Sequence, residues 1–238
     1  MKNMLMIKFL APFIIFLMTL FIVICFVYRP LYRDRFLNEK YLKTLEAKTR
    51  TEGYVEELKN TIYVMGAYLE SNHSWMEFGN FLTNVQKLNS GYLNVYFGGS
   101  YPYPKGGIFM NTLEVYPLTY DQTSRDWYKD SVAANGIMIS APYIDFAVNK
   151  LTITFGKAVY TNSSLKGVCA IDFANINGIA ESLKKNFQEE VYIVSEDGIF
   201  MTHDNNEYIL NEKNNLFTYE IFADFKNNLT SQLEIWIL

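Results

Sequence analysis

The chain has 238 residues, half of them apolar and 16% aromatic, which excludes a disordered polymer and leaves room for one large or two modest cores. Its net charge is −4; Lys2 and Lys8 are the only charges before Arg29, so the rest carries −6, and an acidic chain without a basic stripe is not expected to bind nucleic acid. Two cysteines, Cys25 and Cys169, make no disulfide framework.

From Phe9 to Tyr28 there is not one charge, and at 1.5 Å per residue this run spans about 30 Å, the thickness of a bilayer core. A cleaved signal peptide has a shorter apolar stretch and a small-x-small site, neither of which is present, so the segment reads as an uncleaved transmembrane helix. Lys2 and Lys8 precede it and Arg29, Arg33 and Arg35 follow it, so local charge counting does not orient it. Pro30 is expected to interrupt the helix, with a helical pattern resuming near Arg33 and running to about Ser71. Within it Val55, Leu58, Ile62, Met65 and Leu69 recur at 3-4-3-4 spacing, a seam for a second helix or for the chain's own sheet. Leu37 and Tyr41 suggest the same seam earlier.

After the polar break Ser71 to Ser74, a shorter helix is expected from Trp75 to Leu88. Gly91 to Phe97 then reads as a strand, the tract from Tyr101 to Gly107 as a turn cluster, and Ile108 to Met110 as a short return strand. Ser124 suits the cap of a helix that runs to about Ala134 and stops at Asn135-Gly136. Ile137–Ala147, Leu151–Tyr160 and Leu165–Phe173 read as three antiparallel strands, and alternation in Leu151-Thr-Ile-Thr-Phe155 predicts one buried and one solvated face. A helix from Asn175 to Phe187 closes this lobe. Val191–Ser195 and Ile199–Thr202 around Asp197-Gly198 predict a hairpin that opens a smaller lobe. Helices followed by a strand meander define an α+β chain.

Three segments carry candidate chemistry. Tyr120 to Tyr128 holds Arg125, Trp127 and two tyrosines, donors that suit a carboxylate. Tyr143-Ile-Asp145, and Asp172 inside the apolar run Val168 to Phe173, supply acceptors that suit an ammonium group. Facing walls of this kind would complement a free amino acid. Each residue also has a plain structural reading: Asp172 as a strand-end salt bridge, Asp145 as a turn residue, Arg125 as the partner of Asp121 or Asp126, Trp127 and Tyr128 as core.

Asp121-Gln-Thr-Ser-Arg125-Asp-Trp127-Tyr128, Ala141-Pro-Tyr143-Ile-Asp145 and Gly167-Val-Cys-Ala-Ile-Asp172 together resemble the double Cache extracytoplasmic sensor domain of bacterial chemoreceptors, sensor kinases and cyclic-di-GMP enzymes. The usual Pro of the first segment is Gln122 here. The resemblance covers roughly Phe36 to the C-terminus and is fullest with the amino-acid-binding branch of methyl-accepting chemotaxis proteins. It implies a PAS-like distal lobe, a smaller proximal lobe that is incomplete at Leu238, and ligand-binding roles for Tyr120, Arg125, Trp127, Tyr128, Tyr143, Asp145 and Asp172. It also implies a cytoplasmic N-terminus over residues 1–8, a membrane span over 9–28, a long dimerisation helix over 29–71, a ligand-binding lobe over 72–187 and a partial proximal lobe over 188–238. The expected partners are an amino acid or related amine, the cell membrane and a second copy of the chain, with the bulk of the chain outside the cytoplasm. The expected chain is a truncated receptor.

No cofactor and no metal are expected, and the chain does not read as an enzyme. It lacks a Ser–His–Asp order, a phosphate-cradling Gly loop, HExxH and paired metal cysteines. His73 and His203 sit in polar contexts and are expected to be solvated. Three other readings stay open: a polyamine or Ca²⁺ site, which would have no use for Arg125; a sensor kinase or diguanylate cyclase output; and a ligand-independent dimerisation domain.

Overall fold

The structure, a computed structural model, describes residues 2–71, 73–113, 116–145, 148–188, 190–195 and 197–218, with side chains from residue 13 onward. It divides into two units, Met1–Thr49 and Arg50–Leu238.

Among the described residues the first unit is helical throughout. Helix α1 covers Lys2–Val23, a π-helical turn Ile24–Tyr28 follows, and α2 begins at Arg29. Pro30 therefore does not interrupt the helix, against the expectation from sequence. Pro lacks the N–H that an i→i−4 ladder would use. The wider turn before it absorbs the mismatch, with the Arg29 N–H bonding back to the Ile24 carbonyl. Side chains from Phe13 to Tyr28 are exposed apart from the half-buried Cys25, and the helix is long and apolar enough to cross a membrane. Leu37 and Tyr41 are exposed within this unit.

In the second unit, α2 continues to Glu70 and buries Val55, Leu58, Ile62, Met65 and Gly66. The seam predicted from spacing is thus the domain's own packing face. Helix α3, Trp75–Leu88, starts at a capping box in which Ser74 and Glu77 bond each other's backbone N–H. An antiparallel sheet of order β2-β1-β6-β5-β3 follows, from β1 (Tyr92–Gly99), β2 (Phe109–Asn111), β3 (Ile137–Ile139), β5 (Leu151–Thr161) and β6 (Ser164–Phe173). The short β4, Tyr143–Ile144, also pairs with β5.

Strand alternation assigns the two faces of the sheet. Phe97 meets Phe78 and Trp75 of α3, Lys157 reaches Tyr63 of α2, and Gly66 lets α2 approach Val159. The opposite face carries Asn94, Tyr96, Thr154, Ala170 and Asp172. Here α4, Asp126–Ala133, approaches closely because Gly156 leaves room for Ser131. Helix α5, Ile176–Phe187, buries Ile176, Ile179, Ala180 and Leu183.

Several local expectations need correction. The cap of α4 is Arg125 and not Ser124, whose hydroxyl instead donates to the Asp121 carbonyl in the preceding 3₁₀ turn. The expected strand over 137–147 breaks at Ser140–Pro142, where Pro142 has no N–H for a ladder, and its end at residues 146–147 lies outside the described residues. Both faces of β5 are buried, because Thr152 and Thr154 lie under the segment around Tyr143 and not in water. Beyond α5, the predicted hairpin forms but is short: Val194 bridges Phe200 antiparallel, with Ser195 N–H to the Ile199 carbonyl and Met201 N–H to the Ile193 carbonyl, and Phe200 makes a further parallel bridge with Ile209. The Thr202 hydroxyl takes the Ile193 N–H that a ladder would have used. Residues 219–238, with the expected chain end at Glu234–Leu238, lie outside the described residues.

Lys184 ties α5 to this segment through Glu190 and Asp204, each at 2.7 Å. His203 is half-buried: it stacks on Tyr192 and Tyr208, and its Nδ1 accepts the Asn205 N–H. His73 is exposed and stacks on Tyr68 at 4.0 Å. Both cysteines are free thiols, and burial pushes the Cys169 thiol up to about 12.

Candidate functional site

Strand register builds the centre of the site. Asn94, Asp172 and Thr154 stand opposite one another on β1, β6 and β5, forming one row across the sheet. Tyr96 and Ala170 belong to the next row on the same face. Asp172 is 2% exposed, and its Oδ1 accepts from the Tyr96 hydroxyl at 2.8 Å and from the Thr154 hydroxyl at 2.7 Å. Burial pushes its carboxyl up to about 6; the bonds from Thr154 and Tyr96 oppose that rise, and the neighbouring Asp145 charge adds to it. Tyr143 closes the row, its hydroxyl 2.9 Å from Thr154 Oγ1.

Asp145, 8% exposed, follows β4, where its Oδ1 accepts the Val148 N–H. Its charge is felt at Asp172, Tyr116 and Tyr143. The second wall is aromatic. Tyr96, Phe109, Tyr116, Tyr120 and Trp127 form one cluster, with centroid distances of 4.7 Å for Tyr116–Tyr120 and 4.8 Å for Tyr96–Trp127. The Trp127 indole N–H donates to the Tyr120 hydroxyl at 3.2 Å, and the Arg125 guanidinium lies 5.8 Å over the Tyr120 ring. Burial raises the Tyr120 phenol, the Trp127 bond and the Arg125 charge lower it, and the Asp172 charge raises it. Tyr120 therefore feels the cation on one side and the anion on the other.

Of the seven candidates, six converge on this region. Tyr128 goes elsewhere: it is buried with Ala158 and Val168, and its hydroxyl donates to the Gly99 carbonyl at 3.2 Å. Arg125 is exposed, and neighbouring Asp126 pairs with Lys129 at 3.8 Å. Four further residues join the site without having been singled out: Asn94, Tyr96, Tyr116 and Thr154. Asn94 could have been found by the signal that marked Asp172, a polar residue inside an apolar strand. Tyr96, two positions on, shares its face. Thr154 and Tyr116 meet the others only through register and loop path.

Gln122, at the position where Pro is usual, is fully buried. Its amide donates to the Gly99 and Tyr101 carbonyls and accepts the Tyr103 N–H, pinning the loop that brings Tyr103 onto the aromatic cluster. Among the described residues no group of three His, Cys, Asp or Glu side chains is close enough to hold a metal ion.

A long N-terminal helix, a PAS-like antiparallel sheet and a polar row beneath an aromatic wall define an α+β sensor domain of the double Cache class. The chain belongs to the methyl-accepting chemotaxis protein-like first PDC sensor domain family, whose model matches residues 58–180. It is 30% identical over 139 residues to the methyl-accepting chemotaxis protein McpG of Pseudomonas putida, covering 57% of this chain and 21% of that protein. It is 33% identical over 110 residues to TlpB of Bacillus subtilis, covering 46% of this chain and 14% of the relative. The chain thus matches only about a fifth of one relative's length and less of the other's. The same fold is found in the ligand-binding domain of the Pseudomonas aeruginosa amino acid chemoreceptor PctC in complex with GABA. That likeness has a TM-score of 0.62 and 20% identity and covers 78% of this chain and 80% of PctC's domain. The isoleucine-bound sensory domain of Campylobacter jejuni Tlp3 shares it at TM-score 0.63 and 17% identity, covering 85% and 83%. The protein is a chemoreceptor-type sensor domain.

Proposed function

We propose that this domain binds a free amino acid between the Asp172 row and the Tyr120–Trp127 wall. The observation that carries the reading is Asp172: a buried carboxylate, held on one oxygen by Tyr96 and Thr154, with Asp145 beside it. A buried carboxylate whose bonds come from neutral hydroxyls suits a cation. Asp172 and Asp145 take the ammonium group; Arg125 and the Tyr120 hydroxyl, which the Trp127 indole N–H orients, take the carboxylate, where a guanidinium offers the paired bonds that a lysine does not. Tyr143 supplies an oxygen to the ammonium side. Tyr128 supports the site from the core by holding the Gly99 carbonyl. Arg125 favours an amino acid over a polyamine or Ca²⁺, and the relatives' amino-acid-binding folds support the same choice.

In the same reading residues 1–8 are cytoplasmic, 9–28 cross the cell membrane and the rest is extracytoplasmic. Residues 29–71 form the long helix through which two copies pair, 72–187 the ligand-binding lobe, and 188–238 belong to the membrane-proximal lobe. The domain has a sensory and not a catalytic role.

A thermal-shift screen of the full chain in detergent, against the twenty L-amino acids, GABA and common polyamines, tests this. Ligand at 100 times its dissociation constant adds about 2.7 kcal/mol of stability, several degrees for a domain of this size. The expected result is a shift from one or more amino acids that Asp172→Ala abolishes. Losing one partner of a buried charge pair costs about 3–5 kcal/mol, or two to three and a half decades of affinity. A shift from polyamines alone would overturn the role of Arg125, and no shift from a cooperatively unfolding chain would overturn the reading.

A further inference from the structure

Resting on that reading of the site, we propose that Thr154 fixes the direction of the hydroxyl protons around Asp172, so that the wall facing the ligand's amine presents acceptors and selects an ammonium group over a hydroxyl.

The argument is a proton count. A threonine hydroxyl has one hydrogen and two lone pairs. Thr154 Oγ1 lies 2.7 Å from Asp172 Oδ1 and 2.9 Å from the Tyr143 hydroxyl. An ionised carboxylate only accepts, so the Thr154 hydrogen goes to Asp172. The contact with Tyr143 is then satisfied only if Tyr143 donates. Tyr96 spends its proton in the same way, at 2.8 Å from Asp172 Oδ1. Burial and the Asp172 charge keep both phenols protonated. What Tyr96 and Tyr143 have left to offer is lone pairs.

The other two tyrosines of the site are set the opposite way. The Asn94 amide donates to the Tyr116 hydroxyl at 3.3 Å, and Trp127 donates to Tyr120 at 3.2 Å. Each accepts, and so keeps its own proton to give. The four phenols thus divide by proton: Tyr96 and Tyr143 are left as acceptors beside Asp172, whereas Tyr116, held by Asn94 of the same row, and Tyr120, beneath Arg125, keep a proton to give. Thr154 is the hinge of this division on the acid side. It is fully buried in mid-strand, where valine would fill the same space, so its hydroxyl is the part that matters. With valine there, nothing directs the Tyr143 proton inward, and it becomes free to turn to a ligand hydroxyl. Thr154 is a positioning residue, since it acts on the ligand through Tyr143 and Asp172.

Calorimetric titration of the full chain in detergent tests this with matched pairs that differ only in ammonium against hydroxyl: L-alanine and L-lactate, L-valine and L-2-hydroxyisovalerate, L-aspartate and L-malate, L-phenylalanine and L-phenyllactate. The wild type is expected to prefer the amino acid of each pair it binds. Thr154→Val is expected to shrink that preference roughly tenfold, as loss of one hydrogen bond to a charged group implies, and Thr154→Ser to restore it. A merely structural Thr154 would weaken both members of a pair equally; an unchanged preference in Thr154→Val, with binding retained by the wild type, overturns this inference alone. Binding of no member of any pair by the wild type overturns the proposed function and this inference together.

Discussion

Asp172 answers to folding and to binding with opposite signs. In the unfolded chain an aspartate ionises near 4, whereas burial here lifts the carboxyl to about 6. Between those values the empty fold holds a proton that the unfolded chain has released. Its contribution to stability is therefore full below about pH 4 and is lost as the pH rises through 6, on the order of 3 kcal/mol in all. Asp172→Asn keeps an oxygen for Tyr96 and Thr154 and has no charge to bury. It should make the ligand-free protein more stable at pH 7 and flatten this part of the pH profile, as read by denaturant unfolding between pH 4.5 and 7.5. Binding runs the other way. The ammonium needs the ionised form, so affinity should fall about tenfold per pH unit below 6, and Asp172→Asn should not bind. An affinity unchanged from pH 7 to 5 would contradict this. Asp172 was visible in the sequence because a carboxylate in an apolar strand must find a partner. Its partners were not, because Thr154 and Tyr96 reach it through pairings 18 and 76 residues apart in the chain.

At the scale of elements, the loop after β1 depends on one side chain. Gln122→Ala leaves the Tyr101 carbonyl and the Tyr103 N–H without their partner and the Gly99 carbonyl with Tyr128 alone. The expected cost is about 3 kcal/mol, measured as a drop of several degrees in Tm, with weaker ligand binding because Tyr103 loses its seat. Gly167 on β6, at φ +155, has the Gly98 carbonyl and the Phe97 ring where a Cβ would stand. Gly167→Ala should accordingly break the β1–β6 pairing and give little folded protein on expression. The strands themselves were legible because β5 begins with an alternating stretch, β6 holds an apolar run, and the two are joined by a turn through Asn162 and Ser163, both at positive φ. The hairpin over 191–202 forms around its Asp197-Gly198 turn but stays short, one antiparallel bridge between Val194 and Phe200 with backbone bonds on either side of it. The Thr202 hydroxyl takes the Ile193 N–H, which limits the ladder at that end.

For the molecule as a whole, the route from site to helix is short. Lys157 and Val159 on β5 touch Tyr63 and Gly66 of α2, while Thr154 on the same strand belongs to the site. Ile62 and Met65, fully buried, anchor that helix to the domain. Ile62→Ala should cost about 2–5 kcal/mol, checked by chemical unfolding. If ligand closure favours one of two packings of α2, amide exchange over residues 55–69 should slow when an amino acid binds. Unaltered exchange there under saturating ligand would remove α2 from the signalling path. A helix long and apolar enough to cross a membrane, and the family, were readable from one apolar run and three short segments. The division of the tyrosines into donors and acceptors was not, since it exists only once the sheet sets the rows.

The most direct test of the central claim is a crystal structure of the domain with the amino acid that stabilises it most. The account predicts the ligand's ammonium within hydrogen-bond distance of Asp172, with Asp145 beside it, and its carboxylate on Arg125 and the Tyr120 hydroxyl. A ligand bound elsewhere, or bound with its carboxylate toward Asp172, would contradict it.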